Sequence, residues 1–430
     1  MINNLIKYAK EEKTELEVYS VKNQEITIEY QNSELKNYKT QNIKEYTIKA
    51  LLDGVSVKLR TLDISNPKET IELLKVMREM TDEIDEDDLA CQIDIIPSTA
   101  IMLNVDSQEI KNNIRNFNQY LKEKYPSIFT INTEYNFELD EYEINNTNDV
   151  SLHDSNYHSF YYTDIVLKVD GKNLNCDKYI MAKEIDFEKF KQTVEEKIKQ
   201  TLNWVYPRSI STNKYNIILE NECVFNILNA ISGAFFAKNI NNKQSPLTEK
   251  YNKKIFSNKI TITEDPTNEE LIGTRKFDTE GTKTYFKKII DKGVFVTKLY
   301  DKKEAAKDKV VSTGNVYGVR NMSIKPGKKS KNKLLEELNN GIYINNLMGI
   351  HSSINQLTGD ISIQCEGNII QDGKKADALN HIVLVSNIFE LFSQVKEVGS
   401  DLEWFSTTGG SPSLLIENIT IAGKEGVTNE

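Results

Sequence analysis

Histidine, cysteine, proline and tryptophan are scarce in this 430-residue chain, at 4, 4, 8 and 2 residues. His153 and His158 stand five apart in a polar loop and read as two surface imidazoles, while His351 and His381 are isolated. No H-E-x-x-H occurs, so the commonest zinc-peptidase signature is missing. G-x-S-x-G and a Walker loop are missing too, although a triad drawn from distant residues would leave no such trace. Cys91, Cys176, Cys223 and Cys365 are far apart without a C-x-x-C pair. That spacing favours buried free thiols in a reducing compartment over a disulfide frame. No apolar run approaches the ~18 residues of a membrane span. Met1–Tyr8 lack the apolar core and cleavage site of a secretory leader, so the expectation is a cytoplasmic protein.

Lys and Arg total 54 against 64 Asp and Glu, a net charge of −10 that argues against polyanion binding. The basic patch Lys325, Lys328, Lys329, Lys331 and Lys333 has no interleaved aromatics and reads as a solvated loop. The acidic run Asp82–Asp88 reads as a solvated linker rather than a metal site. Length predicts two or three domains, and the pattern divides the chain at 1–105, 106–205 and 206–430. The fold class expected is α+β: N-terminal lobes of antiparallel strands with helices, then a β-rich C-terminal domain around a buried helix.

In the first segment a helix over 3–13 precedes β-segments Glu15–Val21, Glu25–Gln31, Ser33–Thr40, Glu45–Leu52 and Val55–Leu62, with Asp53-Gly54 as a turn. Pro67 opens a helix with Ile71, Leu74, Met77 and Met80 on its apolar stripe. In the second, Asp106-Ser107 starts a helix, Phe129–Glu138, Glu141–Ile144, Ser159–Val169 and Leu174–Ala182 follow as strands, and Asp186 caps another helix. The third opens with the strand Tyr215–Leu219. Val224, Ile227, Leu228, Ile231 and Phe235 then recur at helical spacing, predicting a buried helix from an Asn221 cap to Ala237. Short β-segments come next (Lys259–Thr263, Lys283–Asp291, Val294–Leu299, Gly341–Gly349, Asp360–Gly367 and Leu414–Ala422). Helices over Lys331–Asn339, closed by Gly341, and from Ser386 interrupt them.

Polar turn motifs crowd this third segment. Phe277-Asp-Thr-Glu-Gly281 sets Asp278 and Glu280 beside Gly281. Ser312-Thr313-Gly314-Asn315, Asn321 and Thr358-Gly359-Asp360 follow. Such residues supply caps and positive φ at bends. Asp278 and Glu280 could form an acid/base pair or hydrogen-bond a turn.

In this order the motifs resemble the TldD/PmbA family, once described as modulators of DNA gyrase, and its PmbA (TldE) branch in particular. Ser245-Pro-Leu247 and the Asn146–Asp149 turn agree with that resemblance, which is strongest from Lys214 to Gly423. In the TldD branch the buried helix carries H-E-x-x-x-H and a late cysteine completes a zinc site. Here Leu228, Asn229 and Gly233 stand at those helix positions, and Phe405–Ser411 contains no cysteine. The resemblance therefore implies no catalytic residue, metal ligand or cofactor in this chain, with zinc expected in a TldD-type partner. It implies a non-catalytic subunit of a complex acting on peptides and unfolded segments. Asp278, Glu280, Gly281, Ser312, Thr313, Gly314, Asn315, Asn321, Thr358, Gly359 and Asp360 would either line the peptide groove or fix the fold. Two other readings stay open. One is a stand-alone homodimer that binds peptides; the other is a peptidase using Asp278, Glu280 or Asp360 with a metal held elsewhere. Membrane and direct nucleic-acid partners are not expected.

Overall fold

A computed structural model describes residues 1–80, 88–95, 105–316 and 318–423; most of the acidic run 82–88 therefore lies outside the described residues. In chain order the first half comprises α1 (Ile2–Glu11), β1 (Glu15–Gln31), β2 (Glu34–Leu52), β3 (Val55–Thr61), α2 (Pro67–Glu79), α3 (Ser107–Lys124), β4 (Ile128–Asn146), β5 (Ser151–Val169), β6 (Lys172–Ala182) and α4 (Phe187–Asn203). The second half comprises β7 (Asn213–Leu219), α5 (Asn221–Ala230), α6 (Ala237–Asn241), β8 (Ile262–Glu264), β9 (Lys287–Asp291), β10 (Val294–Phe295), α7 (Lys302–Asp308), β11 (Met322–Ile324), α8 (Lys331–Leu338), β12 (Gly341–Met348), β13 (Asp360–Gln371), β14 (Lys374–Asn387), α9 (Ile388–Ser393), β15 (Val395–Val398), β16 (Glu403–Ser406), β17 (Gly409–Ser411) and β18 (Leu414–Ala422). The architecture is α+β.

The first six strands form one sheet in the order β3-β2-β1-β4-β5-β6. β1 and β4 pair from Glu17↔Asn146 to Gln31↔Asn132, so a single sheet runs through residues 15–182. The short strands expected in pairs, Glu15–Val21 with Glu25–Gln31 and Ser33–Thr40 with Glu45–Leu52, are single long strands. The polar midpoint of β1 is satisfied across the ladder to β4: Lys22 Nζ donates to Glu141 Oε2 at 2.5 Å and Asn23 Nδ2 to Asp140 Oδ1 at 2.9 Å. Asp53-Gly54 and Asp170-Gly171, all at positive φ, make the tight hairpin turns.

Side chains alternate along these strands. Leu16, Val18, Ile28 and Tyr30 of β1 share a face with Ile131, Tyr135 and Phe137 of β4, and all four helices α1–α4 pack there. Asn66 and Asp106 cap α2 and α3, and Asp186 caps α4, each accepting backbone N–H groups. Met80 falls past the end of α2 and is exposed. The opposite face is polar over much of its length but carries an apolar patch of Tyr142, Ile144 and Leu152, and there it meets the second half of the molecule.

There, β14-β13-β12-β7-β18-β15 form a second sheet, and an added β14–β18 pairing closes five of its strands into a ring. β10-β9-β8-β11-β17-β16 form the third. The predicted helix 221–237 is divided: α5 stops at Ala230, a 3-10 turn covers Ser232–Phe235, and Phe236 is extended. Phe236 bridges to Leu299, whose backbone bonds Phe235 and Ala237 on either side, and this pairing separates the 3-10 turn from α6. Glu220, not Asn221, is the N-cap. Gly341 likewise is not a helix terminator. Asn339 takes the positive φ, and Gly341 starts β12, where a Cβ would lie 2.3 Å from the Asn216 carbonyl oxygen. β14 and α7 were not anticipated. The helix expected from Ser386 is α9, capped by Asn387.

Cys176, Cys223 and Cys365 are buried free thiols, while Cys91 is exposed. Burial pushes the Cys176 thiol up to about 11 and Cys365 to about 12, so both are inert as nucleophiles near neutral pH.

Candidate functional site

Most of the motif residues converge where the third sheet meets the polar face of the first. Glu264 and Lys287 oppose each other on β8 and β9 with 1% and 3% of their side chains exposed, Nζ to Oε2 at 2.8 Å. The other Glu264 oxygen accepts from Asn315 Nδ2 at 2.7 Å and from the Arg320 backbone N–H at 2.8 Å. This carboxylate therefore anchors the loop that Ser312 and Thr313 begin. Ser312 Oγ and Thr313 Oγ1 both donate to the Tyr300 carbonyl, and Thr313 Oγ1 accepts from Tyr300 N at 2.7 Å. Gly314 has φ +73, with Lys283 O 3.1 Å from where a Cβ would sit. Asn321, itself at φ 48, accepts from Gly273 N and donates to Asp265 O, tying the next loop in.

Asp278 Oδ1 accepts the N–H groups of Glu280 and Thr282. Burial pushes its carboxyl up against the lowering effect of those same bonds. Glu280 Oε2 accepts from Lys302 N at the start of α7. Asp278 thus closes its turn through Oδ1, while its Oδ2 is buried with no partner among the described residues. Gly281 has φ +71 and faces Ala90, whose Cβ would be 2.5 Å from an added Cβ. Beside it Phe277 is fully buried among Tyr142, Ile144 and Leu152 of the first sheet, Val150 of the β4–β5 connection and Ala90 of the segment 88–95. Arg275 lies over the Tyr142 ring at 3.3 Å and donates to Tyr19 Oη at 2.8 Å and Phe277 O at 3.1 Å. Asp154 Oδ2 accepts Lys276 N at 2.8 Å.

Thr358, Gly359 and Asp360 are elsewhere. They form an exposed turn before β13, where Asp360 accepts from Thr358 Oγ1 and Asn387 Nδ2 and Gly359 abuts Ile388. Of the residues at the junction, the sequence marks Glu264 only as the end of a strand, and Lys287, Arg275 and Arg320 were not singled out. The signal was there for the first two: Glu264 falls two residues after buried Ile262, and Lys287 two before buried Ile289, so both are charges at inward strand positions.

His158, expected at the surface, is largely buried on β5, 3.7 Å from Glu138. Burial pushes its imidazole below the usual range, with Arg320 also opposing protonation and Asp140 favouring it. The unfolded chain then takes up this proton first, so His158 withdraws stability as pH falls through ~6.5. His158→Gln should flatten that limb by at most one proton's worth, ~1.4 kcal/mol per pH unit, in thermal melts from pH 7.5 to 5.

The positions corresponding to the zinc motif do not fit a metal. Leu228 is fully buried in the core, Asn229 is exposed, and Gly233 sits past the end of α5 with its carbonyl bonded by Asn239 Nδ2. In the late segment Phe405 stacks on Phe225 with ring centroids 5.4 Å apart. Gly409 and Gly410 bring β17 so close to β11 and β16 that a Cβ at either would meet a carbonyl oxygen at 2.0 Å. Among the described residues no group of three or more His, Cys, Asp or Glu is placed to hold a metal ion. Nor is any described helix long and apolar enough to cross a membrane.

Residues 212–423 match the family model of the PmbA/TldA metallopeptidase C-terminal domain. A metalloprotease PmbA homolog of Buchnera aphidicola subsp. Baizongia pistaciae is 28% identical over 230 residues, 53% of this chain and 51% of that protein. The chain thus spans about half the length of the curated relatives it matches. A solved structure described as a candidate modulator of a DNA gyrase, from Thermotoga maritima MSB8, superposes with a TM-score of 0.89 at 22% identity, covering 98% of this chain and 99% of that one. TldE from Thermococcus kodakarensis superposes at 0.83 with 18% identity, covering 98% and 100%. At these identities the superpositions establish the fold, and residues 212–423 carry the likeness to the PmbA/TldA metallopeptidase C-terminal domain.

Proposed function

We propose that this chain is a non-catalytic PmbA/TldE-like subunit of a zinc peptidase that acts on peptides and unfolded segments, with the zinc held by a TldD-type partner. The observation that carries the reading is the side-chain set at Leu228, Asn229 and Gly233, which supplies neither imidazole nor general base. Closely packed β17 and the Phe225–Phe405 stack occupy the neighbourhood of the missing thiolate. The chain's own contribution is a polar wall: the free face of the first sheet and the loops anchored on Glu264. Edge strands such as β16 can add an extended peptide by backbone pairing.

The test is co-expression with a TldD-type subunit carrying H-E-x-x-x-H, reading zinc content and hydrolysis of an unfolded peptide together. This chain alone should be zinc-free and inert, and the pair should hold zinc in the partner and cleave. Stoichiometric zinc and hydrolysis from this chain alone would overturn the reading.

A further inference from the structure

On the helix-bearing face of the first sheet, a cleft of about 710 Å³ opens between the first turns of α3 and the segment that leads into α4. Its floor is aromatic. Tyr135 and Phe137 of β4 and Tyr157 and Tyr161 of β5 line it, all at odd positions and so on one face of the sheet. The Tyr135 and Tyr161 ring centroids are 4.9 Å apart, and Phe137 stacks on Tyr157 at 6.2 Å. Ile110 of α3 and Ile185 before α4 make the walls apolar above the rings.

The polar groups of the cleft are unevenly satisfied. Tyr135 Oη and Ser159 Oγ bond each other at 3.1 Å. Tyr161 has no such arrangement: it is 4% exposed, and among the described residues nothing hydrogen-bonds its hydroxyl. Burial pushes its phenol above the usual range, and Tyr135 and Glu109 add to the shift. A secluded hydroxyl without a partner is costly, and on a cleft wall a ligand can supply the missing bond. Higher up, Glu109 on one wall and Glu184 on the other are exposed, and neither carboxylate has an ion-pair or hydrogen-bond partner among the described residues. Lys183 also lines the cleft, but its ammonium is bonded to Glu269 O at 2.5 Å and lies 5.4 Å from the Tyr157 ring.

We propose that this cleft binds an organic cation carried on an apolar stem, a guanidinium or ammonium group whose stem lies on the rings while its charge reaches Glu109 and Glu184. Ring faces and carboxylates both attract a cation, and the Tyr161 oxygen can accept one of its N–H groups. An anion would meet the two unpaired carboxylates. It would also find the helix starts taken, since Asp106 and Asp186 already cap α3 and α4. A neutral ligand would use the rings and leave both carboxylates idle. The site needs no zinc-bearing partner.

The test titrates n-butylguanidinium and its uncharged counterpart n-butylurea into the full chain by isothermal titration calorimetry at low ionic strength. The cation should bind about tenfold more tightly than the urea, and Glu109→Gln combined with Glu184→Gln should erase that preference. Both carboxylates are exposed, so the double variant should fold as wild type does. Tyr161→Phe keeps the ring and should weaken the cation about threefold. The peptide N-acetyl-Gly-Arg-Gly-amide separates the sources of such a cation. Binding as tight as n-butylguanidinium would assign the site to a polypeptide side chain, and exclusion of the peptide alone would assign it to a free amine or guanidine; either result supports the site. Equal binding of n-butylguanidinium and n-butylurea, no binding of either, or a preference that survives the double variant would overturn the proposal.

Discussion

Replacing Glu264 by Ala should lower the stability of the protein by about 3–5 kcal/mol, the cost of leaving one member of a buried ion pair without the other. The Lys287 side chain is 3% exposed, and among the described residues Glu264 is the carboxylate it pairs with. The loss extends beyond the pair, because the Asn315 amide and the Arg320 N–H also lose their acceptor. Equilibrium denaturation measures it. The double replacement Glu264→Gln with Lys287→Met separates the contributions. It removes the stranded charge and should recover most of the loss, since apolar groups of similar volume often replace a buried pair without penalty. A double variant no better than Glu264→Ala would mean that the loop anchorage, not the ion pair, dominates.

Phe277→Ala should cost a similar amount, about 3–5 kcal/mol, for deleting a fully buried aromatic ring. The consequence differs in kind. Phe277 belongs to the C-terminal half by sequence, yet its neighbours Tyr142, Ile144 and Leu152 belong to the first sheet and Ala90 to the segment 88–95 of the first half. The variant therefore weakens the attachment between two sheet systems more than either core. Calorimetry should show one transition in the wild type and a broadened or split transition in Phe277→Ala. A uniformly shifted single transition would show that the two halves unfold together whatever happens at this contact.

Sequence reasoning located elements well where the signal was local. Asn66-Pro67, Asp106 and Asp186 each start a helix through a side-chain acceptor, and the two Asp-Gly pairs set hairpins without reference to anything distant. It failed where a distant partner decided the outcome. Lys22–Gln24 look like a break until Glu141 and Asp140 lie alongside, and the apolar periodicity of 221–237 does not show that Phe236 is extended and paired with Leu299. The site shows the same division. Turn chemistry at Asp278–Gly281 and Ser312–Asn315 was visible in the chain itself. Its shared anchor, Glu264, and the cations Lys287, Arg275 and Arg320 come together only through strand pairings and a junction between halves, neither of which leaves a mark within a short window.

The arrangement around β7 bears on how the molecule is made. β7 is laid down by residue 219, pairs in parallel with β12, and has β18, residues 414–422, as its other neighbour. During synthesis that second neighbour leaves the ribosome long after β7, since β7 ends at Leu219 and β18 begins at Leu414. Until then Ile217 and Leu219 border an open strand edge, and the ring that β18 completes with β14 has a gap. Nascent chains thus wait, with apolar surface uncovered, for a contact of very long sequence separation, the circumstance in which slow closure invites aggregation or chaperone capture. A chain that terminates a few residues before position 414 would carry that gap permanently.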